Sequence, residues 1–216
     1  MVRFGIALAT LSAIAFLAAP ASAQGWSQPP RPPAGAASNQ AVPPLGPDGR
    51  YVTLNQGLSQ DETSWHVRAA LNVAALGCRD AAERATVAAY NRLIARNSVV
   101  LAAAASGVKT GYRARYGADW EPMHDRDMTR LYNFFAQPPA QQRFCAVARA
   151  VLAEAQTVRP GDFAAFASAA LPRLEAPFTD FYRDYDAYRT AYAEWRSGAA
   201  SSVMAMASVP DSPGAR

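Results

Sequence analysis

Ionisable side chains are scarce in this sequence. Only 18% of its 216 residues are charged, lysine occurs once, at Lys109, and there are two histidines and two cysteines. The formal net charge of +4 is too small to suggest a nucleic-acid partner, which requires a strongly basic surface. His66 and His124 cannot by themselves supply the ligands of a typical zinc site. We expect His66, which follows Trp65 in the first predicted helix, to be a surface or half-buried polar residue. We therefore expect no nucleic-acid binding, no bound metal and no cofactor.

Several motifs of common enzyme classes are also missing. The chain has no G-x-S-x-G or H-E-x-x-H pattern, no C-x-x-C-H haem attachment site, no P-loop and no G-x-G-x-x-G. These absences disfavour several kinds of hydrolase chemistry, covalent haem and nucleotide chemistry. A pair of carboxylates that cleaves a glycan has no local signature, so that alternative stays open.

The N-terminus has the three regions of a cleavable secretory signal peptide. Arg3 forms a short basic region, residues 4–19 are uncharged and mainly apolar, and Ala-Ser-Ala at 21–23 supplies the small residues of a cleavage site. The apolar stretch is shorter than the ~20 residues that a membrane-spanning helix needs. We expect residues 1–23 to be removed, with no membrane span left, and the mature protein to be periplasmic or secreted.

Proline-rich and tail-like segments flank the part of the chain that can fold. Residues 24–50 contain seven prolines among small and polar residues, and this composition favours an extended, solvated backbone. We predict a disordered spacer there. Residues 197–216 show no sustained periodicity and are predicted to be a disordered tail. The predicted domain is therefore residues 51–196, which is long enough to enclose one core.

Apolar residues within this domain recur with helical spacing. Ser59 and Glu62 have the capping-box spacing of a helix start. The longest predicted helix follows Asp80 and continues to about Val108, since its apolar positions step by three and four residues throughout. Shorter patterns predict helices that end before Pro138, near Pro160 and near Leu174, the last with a kink or an early stop at Pro172. The sequence therefore predicts an all-α fold, a single bundle of five or six helices.

The last predicted helix carries a series of aromatic residues. It begins after Pro177, because Pro172 should kink or stop the helix before it. The series is Phe178, Phe181, Tyr182, Tyr185, Tyr188, Tyr192 and Trp195. The near-heptad spacing of Phe181, Tyr185 and Tyr188 predicts a core seam against the long helix. Tyr182 lies outside this seam, so we expect it to be exposed; the alternative role for it is to line a groove for a sugar, a peptide or an apolar ligand.

Cys78 and Cys145 are the only cysteines. An even number of cysteines in an exported chain favours a disulfide over two free thiols. This bond would link the start of the long predicted helix to the helix that contains Cys145. The alternative is that both thiols are small buried hydrophobic groups. A redox role is disfavoured because reactive pairs usually have C-x-x-C spacing.

One predicted loop combines a histidine with carboxylates. The carboxylates of Glu121 and Asp125 could hold a metal ion or orient the imidazole of His124 as a base. Asp125 also fits the N-cap of the next helix, and we favour that structural role. The sequence as a whole favours an exported, non-enzymatic protein that binds an unknown protein or envelope ligand. The alternative is an envelope enzyme that acts on glycan or peptide through the acidic residues near His124.

Overall fold

The structure is a computed structural model that describes residues 28–207, with side chains described to residue 198. Its helices are α1 (Gln60–Gly77), α2 (Glu83–Arg96), α3 (Ser98–Tyr116), α4 (Trp120–Phe135), α5 (Gln141–Ala155) and α6 (Phe163–Ala207). The all-α prediction is confirmed. The predicted signal peptide, residues 1–23, lies outside the described residues, as do the last nine residues of the predicted tail.

Helix α1 is the centre of the bundle. It begins with the predicted capping box: the Ser59 hydroxyl accepts from the Glu62 backbone N–H, and the Glu62 carboxylate accepts from the Ser59 backbone N–H. Helices α2 to α6 all contact it. Small side chains let several helices approach one axis, and Ala69, Ala70 and Ala74 on α1 are completely buried.

The longest predicted helix is divided in two at Asn97. This residue lies between α2 and α3 with φ −106° and ψ 19°, outside helical geometry. Its side chain is buried, and its Nδ2 donates to the Leu93 carbonyl at 2.9 Å. Asparagine competes with helical hydrogen bonds in this way. The apolar spacing continues through Asn97, which explains why periodicity alone predicted one helix.

Helix α6 is continuous over 45 residues and includes both Pro172 and Pro177. Of the kink or stop predicted at Pro172, the stop is therefore wrong, and the last helix does not begin after Pro177 but belongs to the same helix. A proline removes one helical hydrogen bond, but Leu171, Leu174 and Phe178 on both sides of the prolines are buried, and α6 packs against α1 and α5. The same helix extends to Ala207, so residues 197–207 of the predicted disordered tail are helical.

Aromatic rings fill the core where α4, α5 and α6 meet. Phe135 and Phe144 lie 5.7 Å apart between ring centroids, and Phe178 lies 5.3 Å from Phe144. Beside this cluster, Cys145 on α5 forms a disulfide with Cys78, with the two Cα atoms 5.7 Å apart. The predicted bond is confirmed, but Cys78 follows the end of α1 and does not begin α2.

The aromatic series of α6 is buried over its first half. Phe181 and Tyr185 are 4% and 7% exposed, as predicted, and Tyr188 is partly buried against the core. They lie on a helix that packs mainly on α1 and α5, not on the long predicted helix. Tyr182 is also buried, at 3% exposure, so its predicted exposure is wrong. Its hydroxyl donates to Gln137 Oε1 at 2.9 Å.

The described part of the predicted spacer lies against the bundle. Residues 28–50 have no regular helix or strand, in agreement with their proline content. Ala36 and Val42 nevertheless pack partly buried against the core. Gly35 has φ 79°, and a Cβ built on it would lie 3.2 Å from Pro139 Cα. A few small or apolar residues thus bring a proline-rich segment into contact with the domain.

Candidate functional site

A cleft of about 590 Å³ opens between the segment 43–58 and helices α1, α3 and α4. We call it the loop cleft. Its polar lining residues are Thr53, Gln56, Glu62, His66, Tyr112, Arg115, Asp127 and Arg130, and its main apolar and aromatic ones are Val52, Leu54, Leu58, Tyr116, Met128 and Phe134. The volume falls within the roughly 300–1,000 Å³ of ordinary small-molecule sites, which combine apolar walls with a few polar groups in the same way.

An ion pair joins α1 and α3 at one side of the loop cleft. Arg115 Nη2 lies 2.5 Å from Glu62 Oε1, and the Arg115 guanidinium also stacks over the Tyr112 ring at 4.7 Å. Burial raises the pKa of the Glu62 carboxyl, but hydrogen bonds from Ser59 and Arg115 outweigh this, and the pKa is lowered overall. Glu62 is therefore an ionised, fixed carboxylate at neutral pH.

A second polar pair joins α3 and α4. The Tyr112 hydroxyl donates to Asp127 Oδ2 at 3.2 Å. Burial and the Asp127 carboxylate raise the pKa of Tyr112 to about 12, so the hydroxyl stays protonated. Asp127 also accepts from Arg126 Nε at 3.2 Å and lies 3.7 Å from Arg130 Nη1.

His66 is held by a half-buried chain of polar residues beneath the loop. Its Nδ1 lies 2.8 Å from Asn55 Oδ1, and Asn55 Nδ2 donates to Glu175 Oε1 at 3.1 Å. The Thr53 hydroxyl donates to the same carboxylate oxygen. Because the amide nitrogen of Asn55 is used by Glu175, its Oδ1 must accept the proton of His66 Nδ1. Nε2 therefore carries the lone pair of the ring.

The ring of His66 is neutral at pH 7. It is 6% exposed, and this burial lowers the pKa of His66 to about 4. Its edge lines the loop cleft, whereas Asn55 does not. Nε2 has no protein hydrogen-bond partner among the described residues, and it is not fully buried. Because Nδ1 points to Asn55, which lies outside the cleft, we infer that Nε2 faces the cleft. The loop cleft thus contains an unpaired hydrogen-bond acceptor.

The same loop also borders a second cleft of about 530 Å³ on its α6 side. Gln56, Gly57 and Leu58 line both clefts, and Glu175 lies in the second. Gly57 has φ 66°, a left-handed conformation that glycine adopts without steric strain. The turn at residues 56–58 therefore separates the two clefts.

The structure does not gather the candidate residues around His124 into a cleft. Glu121 is exposed, the Asp125 side chain is 83% exposed, and none of the three lines the loop cleft. His124 packs edge-on against Tyr112 with centroids 5.2 Å apart, and its Nδ1 lies 3.3 Å from Asp125 Oδ1.

These residues also do not lie in a loop. Helix α4 begins at Trp120, so Asp125 is inside the helix and not its N-cap. Gly117, with φ 54°, ends α3 and leads through a 3₁₀ turn directly into α4. Pro122 is compatible with this position because it falls in the first turn of the helix. Proline and glycine therefore mark a sharp turn here and not a long loop.

The polar residues of the loop cleft are the ones that sequence reasoning missed. His66 was expected to be a surface or half-buried residue, and Arg115 and Tyr112 carried no signal. Only the spacing of Glu62 and His66, one turn apart on α1, was available. Their partners come from α3, α4 and α6, which the sequence alone could not place.

A Ser-x-x-Lys spacing is present on α3, at Ser106 and Lys109. This pairing is used by some acyl-transfer enzymes, in which a buried lysine activates the serine. Both residues are exposed here, and no hydrogen bond joins their side chains. The pair therefore has no activated nucleophile.

No group of three or more His, Cys, Asp and Glu side chains in the described part of the chain could hold a metal ion. Within residues 28–207, no helix has both the length and the apolar character needed to cross a membrane. Comparison of the chain with family models, curated proteins and solved structures finds no match.

Proposed function

We propose that this chain is an exported, non-enzymatic protein that binds a small ligand in the loop cleft. The observation that carries the proposal is the convergence of fixed polar groups from three helices on one cleft of about 590 Å³. Glu62, Arg115 and Asp127 are each held by protein partners, so the site is organised before a ligand arrives. Such preorganisation reduces the entropy lost on binding.

Binding without catalysis is favoured by the state of His66. A general base works best when its pKa lies near the working pH, whereas the pKa of His66 is lowered to about 4. None of the cysteines offers a nucleophile, because Cys78 and Cys145 are bonded to each other. The groups of the loop cleft are therefore suited to holding a ligand and poorly suited to activating one.

Export is the second part of the proposal, and it is supported by the signal-like sequence of residues 1–23. Mass spectrometry of protein recovered from its native host should show an N-terminus at Gln24. Mature protein that still carries Met1 would contradict export without affecting the binding proposal.

Ligand binding is tested on oxidised protein that begins at Gln24. A thermal-shift screen with a broad library of small metabolites should find compounds that raise the melting temperature; a ligand at 100 times its Kd adds about 2.7 kcal/mol of stability. Tyr116 lines the cleft and is 36% exposed, so Tyr116→Ala should weaken binding with little effect on folding.

The matched control is Val99→Ala, on the same helix but outside the loop cleft and 81% exposed. This variant should bind each ligand as tightly as the unmutated protein, the parent, does. The binding proposal is wrong if no compound stabilises the protein, or if Tyr116→Ala and Val99→Ala bind every ligand equally well.

A further inference from the structure

The charges in the loop cleft compensate one another. Among the residues that line it, Glu62 pairs with Arg115 and Asp127 pairs with Arg130. A charged ligand would find no excess of the opposite charge in the cleft and would have to compete with one of these pairs. The cleft is therefore matched to a ligand without net charge.

The unpaired acceptor in the cleft calls for a hydrogen-bond donor on the ligand. His66 Nδ1 is committed to Asn55, and Nε2 presents its lone pair to the cleft. A neutral ligand can satisfy it with a hydroxyl group. Leaving a buried acceptor unpaired in a complex weakens binding by roughly five- to 150-fold, so ligands that lack such a donor are disfavoured.

Donors and an aromatic ring lie beside this acceptor. Arg115 uses Nη2 for Glu62, and a guanidinium has five N–H donors in all, so others remain for ligand oxygens. Tyr116 adds a partly exposed ring at the cleft wall. A ligand with several hydroxyls, ring oxygens and an apolar C–H face matches all three features.

We propose that the loop cleft binds a neutral saccharide, one hydroxyl of which donates a hydrogen bond to Nε2 of His66. This inference rests on the proposed function, because it names the ligand class of the same cleft. His66 is then the residue that selects for a hydroxyl donor, and the half-buried chain through Asn55 to Glu175 fixes the tautomer that makes this possible.

Nitrogen NMR of the unmutated protein tests this directly, since the chain has only two histidines. In protein labelled with ¹⁵N-histidine, His66 should show a protonated Nδ1 and an unprotonated Nε2. Titration with glucose, galactose, mannose and N-acetylglucosamine should shift the Nε2 signal of His66 in a saturable way for at least one sugar. Glucosamine and glucuronate, the charged counterparts of glucose, should bind at least tenfold more weakly than the sugar that binds.

Two substitutions of His66 test the roles of Nδ1 and Nε2 separately. His66→Asn keeps a donor near Asn55 but removes the acceptor at Nε2, and should weaken sugar binding about tenfold. His66→Gln places an amide near the position of Nε2 and should bind more tightly than His66→Asn. Melting curves show whether each variant folds. The NMR titration of the unmutated protein does not depend on either variant.

The inference is overturned if no neutral sugar shifts the His66 signal, if a charged counterpart binds more tightly, or if folded His66→Asn binds the sugar as the parent does. A charged ligand whose binding depends on Tyr116 would overturn the saccharide inference and leave the binding proposal intact. Absence of any Tyr116-dependent ligand would overturn both.

Discussion

At the scale of single residues, His66 couples stability to pH. Burial lowers the pKa of His66 to about 4, whereas an imidazole in an unfolded chain has a pKa of about 6.5. The unfolded chain therefore takes up the proton first as the pH falls. The contribution of His66 to the free energy of unfolding is complete above about pH 6.5 and declines towards pH 4, by at most about 1.4 kcal/mol per pH unit.

Urea unfolding between pH 7 and 4.5 measures this decline, and His66→Asn should remove much of it. The titration ends at pH 4.5 so that Glu62 does not contribute to the decline. The pKa of its carboxyl is lowered from 4.5, so its contribution to stability is lost only below that pH. A parent protein of constant stability from pH 7 to 4.5 would contradict the buried, neutral state of His66.

Phe181 gives a second prediction at this scale. Its side chain is 4% exposed and stacks against Tyr185 with centroids 6.2 Å apart. Phe181→Ala should lower the free energy of unfolding by about 3–5 kcal/mol, through lost burial and a residual cavity. Val99→Ala, at a site that is 81% exposed, should change it by less than about 0.5 kcal/mol. A melting temperature of Phe181→Ala within a degree of the parent would show that this seam is not core.

Sequence spacing predicted the burial of Phe181 and Tyr185 because near-heptad periodicity places both on one helix face. It was wrong for Tyr182, whose burial depends on Gln137 and Tyr51, both distant in the chain. The same applies to His66: Asn55 is close in sequence, but the Glu175 that orients it lies on α6. A polar or amphipathic residue is buried when the fold supplies a partner, and its neighbours in sequence do not reveal that partner.

At the scale of helices, Pro172 lies well inside α6 and is exposed. Proline in a helix interior is roughly 3 kcal/mol less favourable than alanine, and its stiffening of the unfolded chain offsets up to about 1 kcal/mol of this. Pro172→Ala should therefore raise the free energy of unfolding by about 2 kcal/mol in urea titrations.

Pro177 provides the comparison within the same helix. Its ring is buried, so Pro177→Ala removes packing contacts as well as helix strain. The variant should therefore raise the free energy of unfolding by less than Pro172→Ala does, or lower it. A Pro172→Ala variant that is less stable than the parent would show that this ring contributes more through contacts than it costs in helical hydrogen bonding.

Helix boundaries were predicted well where side chains cap them and poorly where tertiary packing decides. Ser59 and Glu62 form the expected capping box. The break at Asn97 and the continuity through Pro172 both run against local pattern. At Asn97 a local hydrogen bond to the Leu93 carbonyl outweighs the helical apolar spacing. At Pro172 the buried contacts of Leu171 and Leu174 outweigh the intrinsic preference of proline.

At the scale of the whole molecule, the disulfide joins the end of α1 to α5 across 67 residues. In the chain-entropy model, a loop of this size stabilises the folded state by roughly 4 kcal/mol. The double variant Cys78→Ala, Cys145→Ala should therefore unfold at lower urea concentration than the oxidised parent, and reduction of the parent should shift its transition in the same direction.

Thiol labelling of unreduced, unfolded parent protein is the independent check on this bond. It should find no reactive thiol. Two reactive thiols in protein recovered from an oxidising compartment would contradict the bond whatever the stability data show.

Fold class followed from periodicity and composition, since each helix has its own amphipathic pattern. The candidate site did not, because its walls come from the segment 43–58, α1, α3 and α4. Its defining contacts join residues such as Glu62 and Arg115 that are 53 positions apart. A predicted helix order does not fix which faces meet, so a cleft between helices lies beyond what the sequence pattern specifies.

The length of α6 also affects how the protein moves in solution. Its 45 residues correspond to about 67 Å at a rise of about 1.5 Å per residue, whereas a compact chain of about 180 residues has a radius of gyration near 16 Å. A sphere with this radius of gyration is about 41 Å across, so α6 by itself is longer than such a sphere. We therefore expect anisotropic rotational diffusion, fast about the axis of α6 and slow end over end. The backbone N–H bonds of α6 lie along that axis, so their NMR relaxation reports the slow end-over-end rotation.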